Sequence, residues 1–172
     1  WDVADPVLNV VTSPIQQREE KIEVKVPPHF SQAEAEVYRL GAEVFHREAH
    51  CVTCHQPNGQ GMANIYPPLV GSPWVTGNVE RLVKLTLHGL WGPMEVNGTV
   101  YDPAKGVPPM TAFKAILSDK EVAAALTFVR NTWGNQAPVV TPEQVKAVRE
   151  ATKDMQMFLK PEDLLKEYPL EQ

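Results

Sequence analysis

The chain has only two cysteines, Cys51 and Cys54, and His55 follows the second directly. That run, Cys-Val-Thr-Cys-His, constrains the fold more than any other feature of the sequence. A disulfide scaffold would need more cysteines at wider spacing. A redox Cys-x-x-Cys would sit in a strand–helix–strand setting, which the flanking sequence lacks. Zinc needs four ligands. His50, Cys51, Cys54 and His55 are too crowded to supply them all, and no second Cys/His pair follows. The pattern points instead to covalent attachment of a haem. Two thiols separated by two residues can add to the two vinyl groups of one porphyrin edge. The next residue is then carried beneath the macrocycle, where His55 presents its imidazole to the iron. A haem held this way cannot leave, so much of its pocket can be loop.

The rest of the chain suits such a core. Its 172 residues suffice for one domain of ordinary size with extensions. A hydrophobic fraction of 43% and a charged fraction of 22% are those of a globular protein. Sixteen prolines, about twice the usual share, predict long irregular stretches. A formal charge of −5 argues against a nucleic-acid partner, which would need a basic face. No apolar run approaches the ~18–20 residues of a membrane span. The sequence starts at Trp1 without a signal-peptide pattern, which leaves open a removed leader or a longer parent chain.

Residues 1–30 carry Pro6, Pro14, Pro27 and Pro28 and no helical period, and read as an extended arm or linker. Within them Ile22, Val24 and Val26 alternate with Lys21, Glu23 and Lys25, a short strand pattern without an obvious partner. The arm is expected to link to, or dock on, a neighbouring domain or subunit, with wrapping over its own domain as the alternative. Ser31 is placed to cap a helix to about Arg47, with Val37, Leu40, Gly41, Val44 and Phe45 on one face. Residues 56–77 predict irregular backbone. Asn78 can cap a helix to about His88, with Val79, Leu82, Val83, Leu85 and Leu87 supplying its apolar surface. Val96-Asn97-Gly98-Thr99-Val100 predicts a tight hairpin, and residues 102–110 a loop. Ser118 and Glu121 form a capping box for a helix to about Thr132, with Val122, Ala125, Leu126 and Val129 as its buried stripe. Thr141-Pro142 opens a further helix with Val145 and Val148. Residues 153–172 read as a mixed-charge tail with room for one short helix. The division is therefore arm 1–30, central domain 31–140, and helix and tail 141–172, with no internal repeat.

This layout of helix, Cys-x-x-Cys-His, loops, a late Met loop and a closing helix resembles class I c-type cytochromes. The Met loop reads Gly106-Val107-Pro108-Pro109-Met110-Thr111-Ala112-Phe113, and the helix after it LSDKEVAAALTFVRNTWGN. Those residues are similar to the monohaem cytochrome c subunits or domains of bacterial alcohol or aldehyde dehydrogenases and to oxidase-linked cytochromes. Further matches are Gly59-Gln60-Gly61, Pro67-Pro68-Leu69-Val70-Gly71-Ser72, and Val96-Asn97-Gly98 with Tyr101. The resemblance covers about residues 32–150. It implies a mostly α class I cytochrome c fold around one covalent haem c, with a short hairpin and long loops, beside the extended N-terminal arm.

The resemblance also implies Met110 as the second axial ligand of the iron beside His55. Relatives commonly have Met-Pro at that position, whereas here Pro109 precedes Met110 and Thr111 follows. Met94 is the rival, and His88 is the alternative for a bis-histidine site. Met62, Met155 and Met157 are placed less suitably. Pro68 and Leu69 are expected against the haem near His55. Tyr66, Trp74 and Tyr101 are candidates to reach the propionates, with ordinary aromatic burial as the plain alternative. Gly41 and Phe45 resemble the pair through which the first helix crosses the last, with Leu126, Phe128 and Val129 as partners and Trp133 nearby. With both axial positions filled, the implied function is one-electron transfer rather than catalysis, by a carrier or by the cytochrome domain of a larger oxidoreductase. The alternative is a haem enzyme or gas-binding sensor with a labile or absent Met ligand. The implied partner is a redox protein: a dehydrogenase, an oxidase or another cytochrome. The implied location is periplasmic or otherwise extracytoplasmic.

Overall fold

Helix starts fall where the capping residues put them. In the computed structural model, which describes residues 22–171, the elements in chain order are α1 (Gln32–His46), α2 (Cys51–His55), α3 (Pro73–Thr76), α4 (Val79–His88), the strands β1 (Met94–Val96) and β2 (Thr99–Tyr101), a 3-10 turn at Pro103–Lys105, α5 (Asp119–Arg130), α6 (Pro142–Ala151) and α7 (Pro161–Glu167). Ser31 caps α1 reciprocally: its hydroxyl accepts from Glu34 N at 3.3 Å, and the Glu34 carboxylate accepts from Ser31 N at 2.8 Å. Ser118 and Glu121 do the same for α5, and Thr141 and Gln144 for α6. Asn78 accepts from Arg81 N to open α4. The fold is mostly helical, and its two strands pair antiparallel with Glu95 opposite Val100.

The frame of the molecule is the crossing of α1 over α5. Gly41 makes it possible. A Cβ built there would lie 2.0 Å from the Ala124 carbonyl oxygen and 2.8 Å from Phe128 Cβ, so only glycine lets the two backbones approach this closely. Phe45 then meets Phe128 at 5.3 Å and Trp133 at 5.4 Å between ring centroids. The close contacts of Gly41 are thus Ala124 and Phe128 rather than Leu126 and Val129. The buried face of α1 is also rotated from the sequence expectation. Ala35, Tyr38, Ala42, Val44 and Phe45 are buried, while Val37 and Leu40 are only half-buried, because the Gly41 contact fixes which side of α1 meets α5.

Several expectations change for physical reasons. The predicted apolar stripe of α5 becomes burial of every residue from Val122 to Arg130, since α1, α3, α4 and α6 surround the helix. The stretch 56–77 contains the short helix α3, whose signal was Ser72 before Pro73 at the first helical position. Residues 22–27 form no strand. Val24 and Val26 pack half-buried on the domain's own core, and Phe30 meets Tyr38 edge-on at 5.8 Å. Their alternation reflects one face laid on helices instead of a sheet partner. Of the arm 1–30 expected to dock on a neighbouring domain or subunit, Val24, Val26 and Phe30 lie on the domain's own core, and residues 1–21 lie outside the described residues.

The expected mixed-charge tail is built into the fold. Leu164 of α7 is buried. Arg81, fully buried on α4, donates to the carbonyls of Tyr168, Pro169 and Pro73 at 2.8–3.0 Å. Lys84 binds the Glu167 carboxylate at 2.6 Å. Helix α4 therefore holds the end of the described chain with buried cations, a use of Arg81 and Lys84 that an amphipathic reading of α4 does not anticipate.

Candidate haem site

The short helix α2 carries Cys51, Cys54 and His55 within little more than one turn. It stops at Gln56, whose φ of 62° turns the chain back, and Gln56 N closes the last turn on Val52 O at 3.0 Å. The returning loop is sewn to this helix. Gly61 N donates to His55 O at 2.9 Å, and Leu69 N to Gly59 O at 2.7 Å. The Trp133 indole donates to Pro57 O at 3.1 Å. Asn135, a buried polar residue with no motif to announce it, donates to Leu69 O and Val129 O and accepts from Gly71 N. It ties this loop to the end of α5.

These bonds place the Pro67 carbonyl 2.9 Å from His55 Nδ1. A carbonyl only accepts, so Nδ1 carries the proton and the Nε2 lone pair is left free. Burial lowers the pKa of His55, partly opposed by the Pro67 hydrogen bond. The ring is therefore a neutral imidazole, the form that ligates a metal.

His55 faces a largely apolar cavity of about 320 Å³. All nine residues singled out from the sequence line it: Cys51, Cys54, His55, Tyr66, Pro68, Leu69, Trp74, Tyr101 and Met110. Met94 lines it as well, whereas Met62, Met155 and Met157 do not and are exposed. His88 is buried elsewhere, with Nε2 2.7 Å from the Thr152 hydroxyl, so it is not placed to ligate. The Trp74 indole donates to Glu95 O at 3.0 Å, which commits its N–H to the β1 backbone. Tyr66 lies beside Cys54, whose charge is the first cause that raises the Tyr66 pKa. Burial raises that of Tyr101. It also pushes the Cys51 thiol up to about 11, in keeping with an apolar cavity.

Sequence reasoning did not assign Leu82, Leu85, Leu126 and Val129 to the site, although they form its inner walls. Their apolar spacing on α4 and α5 marked them as core, and nothing in that spacing separates a wall against another helix from a wall against a cofactor. The donor set fits a haem: two free thiols, a neutral imidazole and a thioether around one apolar space. No group of three or more His, Cys, Asp or Glu among the described residues could hold a metal ion in another way.

The Cytochrome c family model matches residues 38–133, more than half of the chain. The chain belongs to the cytochrome c family. Its fold is the mostly helical one of that family. This cytochrome c is 38% identical over 118 residues to cytochrome c-552 of Thermus thermophilus, covering 63% of the chain and 83% of that protein. It is 34% identical over 115 residues to the cytochrome c subunit of the quinone alcohol dehydrogenase of Gluconacetobacter polyoxogenes. It is 32% identical over 111 residues to the fructose dehydrogenase cytochrome subunit of Gluconobacter japonicus. These two alignments cover 64% and 63% of the chain but only 22% of each subunit. Membership carries covalently bound haem c with its iron, and electron transfer as the function. No helix among the described residues is long and apolar enough to cross a membrane.

Proposed function

We propose that this chain transfers single electrons through one haem c attached to Cys51 and Cys54, with His55 and Met110 as axial ligands of its iron. The observation that carries the reading is the gathering of both thiols, a neutral imidazole and the Met110 thioether around one apolar cavity. Bound haem supplies a ferrous–ferric couple, and thioether ligation raises its potential.

The protein's own residues prepare that couple. The Pro67 carbonyl fixes the tautomer and orientation of His55 and increases its basicity. Pro108 and Pro109 restrict the backbone that leads to Met110. Leu69, Leu82, Leu85 and Leu126 keep water from the site, which disfavours the more charged oxidised form. Pro68 and Leu69 pack beside His55. Tyr66 and Tyr101 are the aromatic side chains proposed to reach the propionates, with Trp74 holding the cavity wall through Glu95. Iron held by both His55 and Met110 would offer substrate no free site, so the chain is an electron-transfer protein or domain and not itself an enzyme.

The partner is a redox protein: a dehydrogenase, an oxidase or another cytochrome. The cytochrome subunits of dehydrogenases among the relatives support this assignment. The place of action is periplasmic or otherwise extracytoplasmic, where haem is attached to Cys-x-x-Cys-His. Spectroelectrochemical titration of the haem-loaded chain tests the reading. One reversible one-electron transition is expected, low-spin in both states, with the weak far-red band of iron–thioether ligation in the ferric form. A high-spin ferrous state that binds carbon monoxide at once would show an open iron and refute it.

A further inference from the structure

The family match ends at residue 133, yet residues beyond it help to hold the loop that carries Met110, beside Phe113 N to Thr86 O at 3.0 Å and Lys114 N to Leu87 O at 2.9 Å within the match. Between Pro108 and Ser118 the chain has no helix or paired strand of its own. Met110 N donates to Leu90 O at 2.8 Å, so Leu90 is the backbone partner of the ligand residue. On its other side Leu90 pairs with Leu159, through Leu159 N to Gly89 O at 3.1 Å and Trp91 N to Leu159 O at 3.0 Å. The three segments lie side by side with no room to spare. A Cβ on Gly89 would meet Met110 O at 2.5 Å and Phe158 Cδ1 at 3.2 Å.

A second anchor lies further along the loop. Arg149, on α6, donates from Nη1 to Lys114 O at 2.5 Å, from Nη2 to Leu117 O at 2.8 Å, and from Nε to the Asp119 carboxylate at 2.6 Å. All three of its nitrogens are thus spent on the loop and on the start of α5. Lys114 answers by donating from Nζ to Lys153 O at 2.6 Å. The segment that supplies these contacts is core only in part: Val145, Val148 and Pro161 are buried, but most of the stretch between α6 and α7 is not. Met155, Met157 and Phe158 are 42%, 63% and 41% exposed. Burial docks α6 but does not explain the course of residues 153–159, whereas the bonds to the loop and to the Leu90 segment do.

We propose that residues 141–161 form a clamp that keeps Met110 on the iron, with Arg149 as its chief positioning residue. The proposal rests on the reading that Met110 is the axial ligand. The thioether bond competes with exogenous ligands for the iron, so the fraction of time the loop swings away sets how readily they enter. A planar guanidinium bound to two loop carbonyls and one carboxylate narrows that motion, and lysine cannot reproduce the fork.

The test is imidazole binding to the ferric, haem-loaded full chain, read with the far-red band and the melting temperature. Arg149→Gln should bind imidazole about tenfold more tightly and show a weaker far-red band, since a hydrogen bond involving a charged group is worth about a factor of ten. Arg149→Lys should recover part of the change. Lys114→Met, a milder substitution that loses the bonds to the Thr152 and Lys153 carbonyls, should move in the same direction by less. Tyr38→Phe is the control. It removes a 2.9 Å hydrogen bond to Thr132 away from the loop, and should lower the melting temperature without changing imidazole affinity. If Arg149→Gln and Lys114→Met lower the melting temperature as Tyr38→Phe does and leave imidazole affinity unchanged, the clamp is refuted. Met110→Ala separates the two readings. If it binds imidazole no more tightly than the parent chain, the ligand assignment itself fails, and the clamp falls with it.

Discussion

The two segments that offer ligands to the cavity are built in opposite ways. The Cys51–His55 helix is sewn chiefly to its own neighbours in sequence: the carbonyl that orients His55 lies 12 residues on, and the loop between them closes on itself through Gly59 and Gly61, with Trp133 and Asn135 as its distant ties. The Met110 segment has little support nearby. Its backbone partner is Leu90, and the guanidinium that holds its loop is 35 residues past Lys114. A local site survives many changes elsewhere in the fold, because its geometry comes from short loops that cost little entropy to close. A site assembled from distant segments can be loosened by changes far from the iron. The covalent side should therefore be robust and the thioether side adjustable.

The strongest way to break this contrast is to remove the covalent side. Replacing both Cys51 and Cys54 with Ala should abolish all haem that survives a denaturing gel, as read by in-gel haem staining. Retention of stained haem would place the attachment elsewhere. Next in size is Met110→Ala. Its haem should stay covalently bound while the far-red band disappears and the potential falls, whereas Met94→Ala, at the cavity wall, should change neither. If Met94→Ala is the variant that opens the iron, the distant side of the site has been assigned to the wrong methionine.

A smaller effect is expected from Gly41→Val, which tests the frame that both segments share. Its side chain would collide with the Ala124 carbonyl and Phe128. The overpacking should destabilise the domain by about 3 kcal/mol in denaturant melts. Whatever folds should keep an unchanged spectrum, and a lost far-red band at full stability would show that the crossing acts on the iron directly.

The smallest effect concerns acid. The Arg47 guanidinium and the Ser118 cap hold Glu121 down to about 2 from its ordinary value of 4.5. Because the folded value is the lower one, the unfolded chain takes up the proton first as pH falls. The stabilisation is complete above about 4.5 and lost on descending towards about 2. With solvent screening at this partly exposed pair, it is worth about 1 kcal/mol. Glu121→Gln should flatten the fall in melting temperature over that interval, and an unchanged slope would assign the acid sensitivity to other carboxylates.

Much of this organisation is legible in the order of residues. The caps at Ser31, Asn78, Ser118 and Thr141 mark helix starts because unpaired N–H groups demand acceptors within a few residues. Asn97-Gly98 marks the hairpin for an equally local reason. The short range of these effects also explains what stays hidden. The alternation at Ile22, Val24 and Val26 records an apolar face but not what covers it; here the domain's own core covers Val24 and Val26 and leaves Ile22 exposed. The apolar positions of α5 record one stripe, while its environment buries every side.

By itself, then, the sequence determined the proposed attachment chemistry. The Cys51, Cys54 and His55 spacing is a property of one helical turn, and no tertiary contact is needed to make it meaningful. It also carried the family signature around Met110. Only the tertiary structure decided how that methionine is held. Arg149, Leu159 and Phe158 belong to a stretch that reads as a helix end and a charged tail, because neither composition nor periodicity encodes which distant carbonyl a guanidinium will find. Such partners are chosen by where the α1–α5 crossing leaves the loop, a geometry that exists only once the chain has folded.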